Sequence, residues 1–576
     1  MAITPELLAV ARADAPADLI IRNARVLNVF TVEIDEAPTA IAIYAGRIAG
    51  IGDYTKARAT IDARGAIVAP GFIDAHMHIE STMLPPSQFA RLAVPHGTTG
   101  VIADPHEIAN VLGIPGIRWM MADGDGLPMR LMWGASSCVP SCHLETSGAR
   151  LEAADLAPLF DDPRVVTLAE MMNFPGAVHG DPGVLAKINL GLERRMVDGH
   201  SPGLRGMQLN AYLAAGISSD HECTTADEAL EKLRKGMQIY IREGSAARNL
   251  EALLRLVNER TFRRFCFCTD DRHPADLHNE GHIDHVVRRA IALGLDPAMA
   301  MTIASFNVAQ HYARRDLGAV APGYRADLLL IDNVRDVRAR TVLFDGRVVA
   351  EGGQYLDLPK TIQPPPAAPV RLPAGLSEAS FRIKAATPGK PVRVIGMDPH
   401  QLVTADLRLD IPADPSGHLM ADISRDILKI AVIERHRGSG NIGVGFVKGF
   451  GLQRGAIAST VGHDAHNLAV VGARESDMLV AARALAEAGG GQCVVDNGKV
   501  VALLALPIAG LMSDQPAEHV IAEQARLLYA AHHNLGCPHH DPFMPLSFMP
   551  LPVIPLLKIS DLGLVDVGRF EVVGLE

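Results

Sequence analysis

Eight short apolar runs recur through the first half of this chain, centred near Ile73, Val101, Leu131, Val166, Val197, Ile217, Ile239 and Phe267. Helix-like stretches separate several of them, including 226–234 and 249–257. Eight strand–helix units in roughly 250 residues is the size of a (β/α)8 barrel. The competing arrangement, an open doubly wound sheet, finds no Gly-x-Gly-x-x-Gly fingerprint among these runs to support it.

The barrel pattern is bracketed by two β-rich pieces. Residues 19–26 and 40–48 read as strands with a turn at Ala45-Gly46, and 327–331 and 342–349 repeat the pattern with an Asp345-Gly346 turn. The two pieces are expected to pair into one small sandwich. A proline run at 363–369 reads as a stiff linker. Beyond it, short apolar strands and one good helix at 476–488 suggest an α+β domain. The expected division is therefore 1–68 and 321–360 for the two parts of the β-sandwich, 69–320 for the barrel and 375–576 for the last domain. A chain of 576 residues is too long for one core in any case.

Composition excludes several functions. A net charge of -11 argues against a nucleic-acid partner, although free nucleobases remain possible ligands. The longest apolar run, 500–512, carries Pro507 and Gly510 and is shorter than the roughly 20 residues of a membrane helix. Residues 1–18 have acidic groups and no long apolar core, unlike a secretory signal. Seven cysteines without a paired framework suit a reduced, cytoplasmic protein, and Cys266-Phe267-Cys268 reads as part of a strand.

Barrel chemistry sits at the C-terminal ends of the strands. There the first run ends in His76-Met77-His78, two imidazoles that an extended backbone turns to the same side. Alone, such a pair is more often two polar residues at a strand end than a pair of ligands. Strand 2 adds Asp104, His106 and Glu107, and strand 3 adds Ser136 and Ser137. Glu170, His200, His221 and Asp270 end strands 4, 5, 6 and 8, while Arg242 and Glu243 end strand 7. The count favours two metal ions, one held by His76, His78 and Asp270, the other by His200 and His221, with Glu170 bridging. Mixed imidazole and carboxylate donors suit Zn, Mn or Fe. A shared hydroxide would be the nucleophile, and Asp270 the proton shuttle.

The run Pro70-Gly71-Phe72-Ile73-Asp74-Ala75-His76-Met77-His78 resembles the amidohydrolase superfamily, as does the order His, Glu, His, His, Asp. Segments 104–113, 219–225, 242–245, 268–271, 437–441 and 462–467 are similar to the bacterial-type adenine deaminase family, and that resemblance covers nearly the whole chain. It implies hydrolysis of adenine to hypoxanthine and ammonia, a place in purine salvage, manganese or iron as the metal, and Glu170 rather than a carboxylated lysine as the bridge. Asp104, His106, Glu107, Glu222, Arg242, Glu243 and Asp271 become candidates for purine contacts or for support of the ligands. Enzymes of this kind are commonly oligomeric, so a homodimer is expected. The alternatives are another amidohydrolase acting on a cyclic amide or N-acetyl-amino sugar, and a metal-binding scaffold without activity.

Two clusters stay open. His463, Asp464 and His466 fit a second metal site, a lid contact or a hydrogen-bonded turn. His532, His533, His539 and His540 read as solvated loop residues.

Overall fold

The computed structural model describes residues 3–245, 247–357, 362, 364–384, 387, 389–398 and 402–576. Gln363 of the expected linker, and 358–360 at the end of the second flanking piece, lie outside the described residues.

All eight apolar runs carry strands: β1 (Phe72–Met77), β2 (Thr98–Ala103), β3 (Arg130–Ala135), β4 (Val165–Met171), β5 (Val197–Gly199), β6 (Ser219–Asp220), β7 (Gln238–Arg242) and β8 (Phe265–Cys268). β1 to β5 lie side by side in sequence order, as do β6 to β8, and all neighbours are parallel. The sheet curls until its ends meet. The Asp270 amide donates to the His76 carbonyl at 3.0 Å, and the His78 amide donates to the Asp270 carbonyl at 3.2 Å. On the other side, the Ser218 amide donates to the Val197 carbonyl at 3.2 Å.

The strands are apolar throughout because both faces are covered. Ile73, Ala75, Ile102, Met132, Val166, Tyr240, Cys266 and Cys268 pack together on one side. Phe72, Val101, Trp133, Leu168, Ile239, Phe265 and Phe267 pack with the helices on the other. Cys266 and Cys268 are therefore core residues. The helix at Ala226–Arg234 forms as its pattern predicts, capped by the Thr225 hydroxyl. The one expected over 249–257 shortens to Leu250–Leu254. Thr261 is the reason: its hydroxyl donates to the Leu256 carbonyl at 2.6 Å and accepts the Asn258 amide at 3.1 Å, turning the chain away from a further helical turn.

Both flanking pieces enter one ten-stranded sheet. Ile67–Pro70 runs parallel to Ala17–Asn28 and antiparallel to Leu328–Ile331. The Ala45-Gly46 and Asp345-Gly346 turns have positive φ at both residues, the geometry that suits a two-residue hairpin. Beyond the linker, an eight-stranded sheet carries the helix Glu475–Glu487 as expected. A second, longer helix, Ala517–His533, corrects the expectation of a single one. It buries Val520, Gln524, Leu527, Ala530 and Ala531, an apolar stripe diluted by Gln and Ala. His532 and His533 belong to its last turn, not to a loop. His532 faces the His539 carbonyl and His539 faces the Gly449 carbonyl, each at 2.5 Å, so these rings are hydrogen-bonded.

Candidate active site

The strand ends assemble as their sequence positions require. His76 and His78 point the same way, with ring centroids 4.9 Å apart. The His78 Nδ1 lies 3.0 Å from the Asp104 carbonyl, which turns Nε2 towards Asp270 and Glu170. Glu170 stands in the middle. Its Oε1 lies 3.2 Å from His78 Nε2 and 3.7 Å from His76 Nε2; its Oε2 lies 2.8 Å from His200 Nδ1 and 3.3 Å from His221 Nε2. Asp270 Oδ1 lies 3.1 Å from His78 Nε2, and its Oδ2 lies 3.7 Å from His221 Nε2. Asp270 adopts a left-handed backbone (φ +58°), a conformation Asp tolerates better than most residues and one that recurs at functional sites.

Every one of these groups is buried, and their electrostatics follow from that. Burial alone would raise the Glu170 carboxyl, yet His106, His200, His221 and His78 hold it well below the usual carboxylate range. Burial, then the adjacent His221 ring, drives His76 down to about 3, so it is a neutral imidazole. Burial would lower His78, His200 and His221 as well, but the carboxylates around them raise all three, so a metal ion would have to displace their protons. His76 Nε2, His200 Nε2 and Glu170 Oε2 are buried without a hydrogen-bond partner, the signature of donors aimed at something other than protein. His76, His78, Glu170, His200, His221 and Asp270 form a cluster that could hold divalent metal. His106 joins them, with Nδ1 at 3.3 Å from Glu170 Oε1.

The other candidates divide. Arg242 is buried and joins three carboxylates: Glu222 at 2.5 Å, Asp271 at 2.8 Å, and Asp270 through the same nitrogen that meets Glu222. Glu222 and Asp271 line the cleft beside the histidines. Asp104 sits behind, accepting from Ser136 at 2.7 Å and paired with His106 at 3.1 Å. Glu243 does not reach the cleft: its carboxylate pairs with Arg289 and accepts the Leu250 amide at 3.2 Å.

One feature lay beyond the reach of sequence reasoning, and a second was open there only as a lid contact. Lys232 is fully buried; its ammonium donates to Ser201 O at 2.6 Å, Glu228 at 2.7 Å and Asp220 at 3.1 Å, tying together the ends of β5 and β6. Its only signal was the i,i+4 spacing from Glu228, which usually marks a solvated face. The second is the wall contributed by the last domain. Leu402, His463, Asp464, Phe548, Leu551 and Ile554 line the cleft with the strand-end groups. His463 stacks on Phe548 at 4.3 Å and meets Glu107 at 2.6 Å, while His466 also pairs with Glu107. The segment 463–466 closes a hydrogen-bonded turn, lies against the cleft, and brings Asp464 into a possible ligand group with His106 and Glu107. The domain docks beside the cleft as well: Asn467 donates to the Thr146 carbonyl at 2.8 Å, and His273 meets Asp541 at 3.0 Å.

Residues 67–349 match the Amidohydrolase family. With the curled parallel sheet and the buried His and carboxylate cluster at its strand ends, that match defines a hydrolase of the amidohydrolase class. Residues 401–571 match the Adenine deaminase C-terminal domain. The chain is 49% identical over 548 residues to an adenine deaminase of Desulfatibacillum aliphaticivorans, covering 95% of each. It is 48% identical to adenine deaminases of Methanothrix thermoacetophila and Cereibacter sphaeroides, covering 94% of each chain in both cases. The chain belongs to the adenine deaminase family.

Proposed function

We infer that this chain hydrolyses adenine to hypoxanthine and ammonia. The observation that carries the reading is likeness along 95% of the chain to proteins of that name, both domains included. The curled sheet is read as a closed (β/α)8 barrel flanked by a β-sandwich, with 375–576 as the third unit. His76, His78 and Asp270 would hold one divalent ion and His200 and His221 the other, Glu170 lying between, with Mn or Fe as the metal and Zn as the further option. When bound, such a pair lowers the pKa of a shared water towards neutrality.

The protein's own groups supply the rest. Asp270 faces the cleft and takes the proton of the attacking water as the bond from oxygen to C6 forms. It returns the proton to the amine as the C6–N6 bond breaks, and ammonia leaves. Arg242 holds Asp270 ionised until then, aided by His78, against the effect of burial. Glu222 and Asp271, fixed by Arg242, are positioned to meet the polar edge of the base. Phe548, Leu551 and Ile554 supply an apolar wall for a flat ring and exclude bulk water. Seven free, buried cysteines support a cytoplasmic home; among the described residues no helix is long and apolar enough to cross a membrane. The proposed setting is purine salvage, by a homodimer.

The test is ammonia release from adenine by Mn- or Fe-loaded protein, with metal content measured alongside. Adenine, hydantoins and acetylated amino sugars are compared. Turnover of either of the latter in place of adenine overturns the reading.

A further inference from the structure

Six carboxyl groups line the cleft: Glu107, Glu170, Glu222, Asp270, Asp271 and Asp464. Five are claimed. Glu170 and Asp270 face the histidines of the strand ends. Glu222 and Asp271 are held by Arg242, and Asp271 also accepts from Ser81 at 2.6 Å. Glu107 is gripped from the last domain by two imidazoles. His466 Nδ1 accepts the Gly462 amide at 3.2 Å, so a neutral His466 ring carries its proton on Nε2, the nitrogen that pairs with Glu107. His463 Nδ1 meets the other Glu107 oxygen at 2.6 Å.

Asp464 is the exception. It is 1% exposed, and its Oδ2 has no hydrogen-bond partner among the described residues; Glu107 Oε1, Glu107 Oε2 and Glu170 Oε2 share that lack, but each faces an imidazole nitrogen at 2.8 Å or closer. The one ion pair found for it, with His106 Nε2, is long at 3.8 Å. A buried carboxyl oxygen without a partner is costly and calls for a functional explanation. The surroundings supply one. The two neighbouring histidines pin the 463–466 segment to Glu107, and the aspartate between them lines the cleft beside Phe548, Leu551 and Ile554. An apolar wall with one unclaimed polar group at its margin is how a site takes a flat heterocycle by its face and reads its edge.

We propose that Asp464, supplied by the C-terminal domain, hydrogen-bonds a nitrogen on the edge of the purine ring and so determines which heterocycle the site accepts. The proposal rests on the adenine reading above. It makes the last domain part of the substrate site and not only a cover.

The experiment is a binding cycle on full-length, metal-loaded protein. Affinities for hypoxanthine and its 1-, 3-, 7- and 9-deaza analogues are measured by calorimetry for the wild type, Asp464→Ala and Asp464→Asn. The wild type is expected to bind one analogue at least tenfold more weakly than hypoxanthine, and in Asp464→Ala that penalty falls below threefold. Asp464→Asn keeps the shape and serves the same cycle if the alanine variant misfolds. For both variants kcat/KM on adenine falls by 100-fold or more, with wild-type metal content. Unchanged analogue penalties in an active background, or loss of metal from Asp464→Asn, overturns the assignment. A wild type that releases no ammonia from adenine refutes the adenine reading instead, a result the binding cycle keeps separate.

Discussion

Lys232→Met tests how the ends of β5 and β6 are held. The ammonium of Lys232 is the counter-charge of Asp220, which burial would raise but Lys232, with His221, brings down to about 2. Asp220 in turn accepts the Ser201 amide at 2.8 Å and its hydroxyl at 2.9 Å. Ser201 follows His200 and Asp220 precedes His221, so this one network orients both imidazoles. Methionine fills much the same volume, so the loss is electrostatic. Removing one partner of a buried ion pair costs about 3–5 kcal/mol, because the other charge is left uncompensated. At 1.4 kcal/mol per tenfold, amides of 197–201 and 219–221 should exchange roughly 100- to 4,000-fold faster where opening of this region limits exchange. Groups that orient metal ligands commonly contribute about 10–100-fold to affinity, so bound metal should be lost on dialysis. Hydrogen exchange read by mass spectrometry, with metal analysis of the dialysed protein, measures both. Adding Asp220→Asn should recover part of the protection by removing the stranded charge. Wild-type exchange and wild-type metal content in Lys232→Met would refute the reasoning.

Three further outcomes follow from the geometry. Asp270→Asn should lower kcat on adenine by about 10²–10⁴-fold, the usual scale for a positioned acid–base group, without unfolding the protein; near-normal turnover would remove Asp270 from the proton path. Lys558 is buried, and burial brings its ammonium down to about 7. The unfolded chain keeps that proton to about pH 10.4, so between pH 7 and 10 the unfolded state binds more protons and stability rises with pH, a slope that vanishes below pH 7. Denaturation midpoints across that range should show the slope in the wild type and a smaller one in Lys558→Met. A chain ending at 375 lacks every cleft-lining residue of the last domain and should lose activity on adenine; full activity would sink the lid.

The sequence carried the central architecture well because burial on both faces leaves unbroken apolar runs, and each run ends where its polar chemistry begins. His76, His78, Glu170, His200, His221 and Asp270 were legible for that reason: strand position alone predicts that they converge. Glu243 follows the same rule yet turns aside, because Arg289, 46 residues away, competes for its carboxylate. No local pattern contains that competition. Asp464 stood out as one of a cluster, but its destination depends on how two domains dock, through contacts such as Asn467 with Thr146, 321 residues apart. Lys232 was hidden for the opposite reason. Its helix has a polar pattern that suits a surface, and only the tertiary fold turns that side chain inward.

The seam between Ile67–Pro70 and Leu328–Ile331 has a consequence for how such a chain could arise. Leu328 is the antiparallel partner of Pro70, so the polypeptide leaves the flanking sheet and rejoins it one strand apart. Everything between is a cassette hung from two adjacent strands. Neighbouring entry and exit points are the condition under which one unit can be grafted into another without disturbing the host. The small sheet can thus be regarded as a socket and the catalytic unit as its insert. Exchange of such inserts during descent would alter the chemistry while leaving the frame intact.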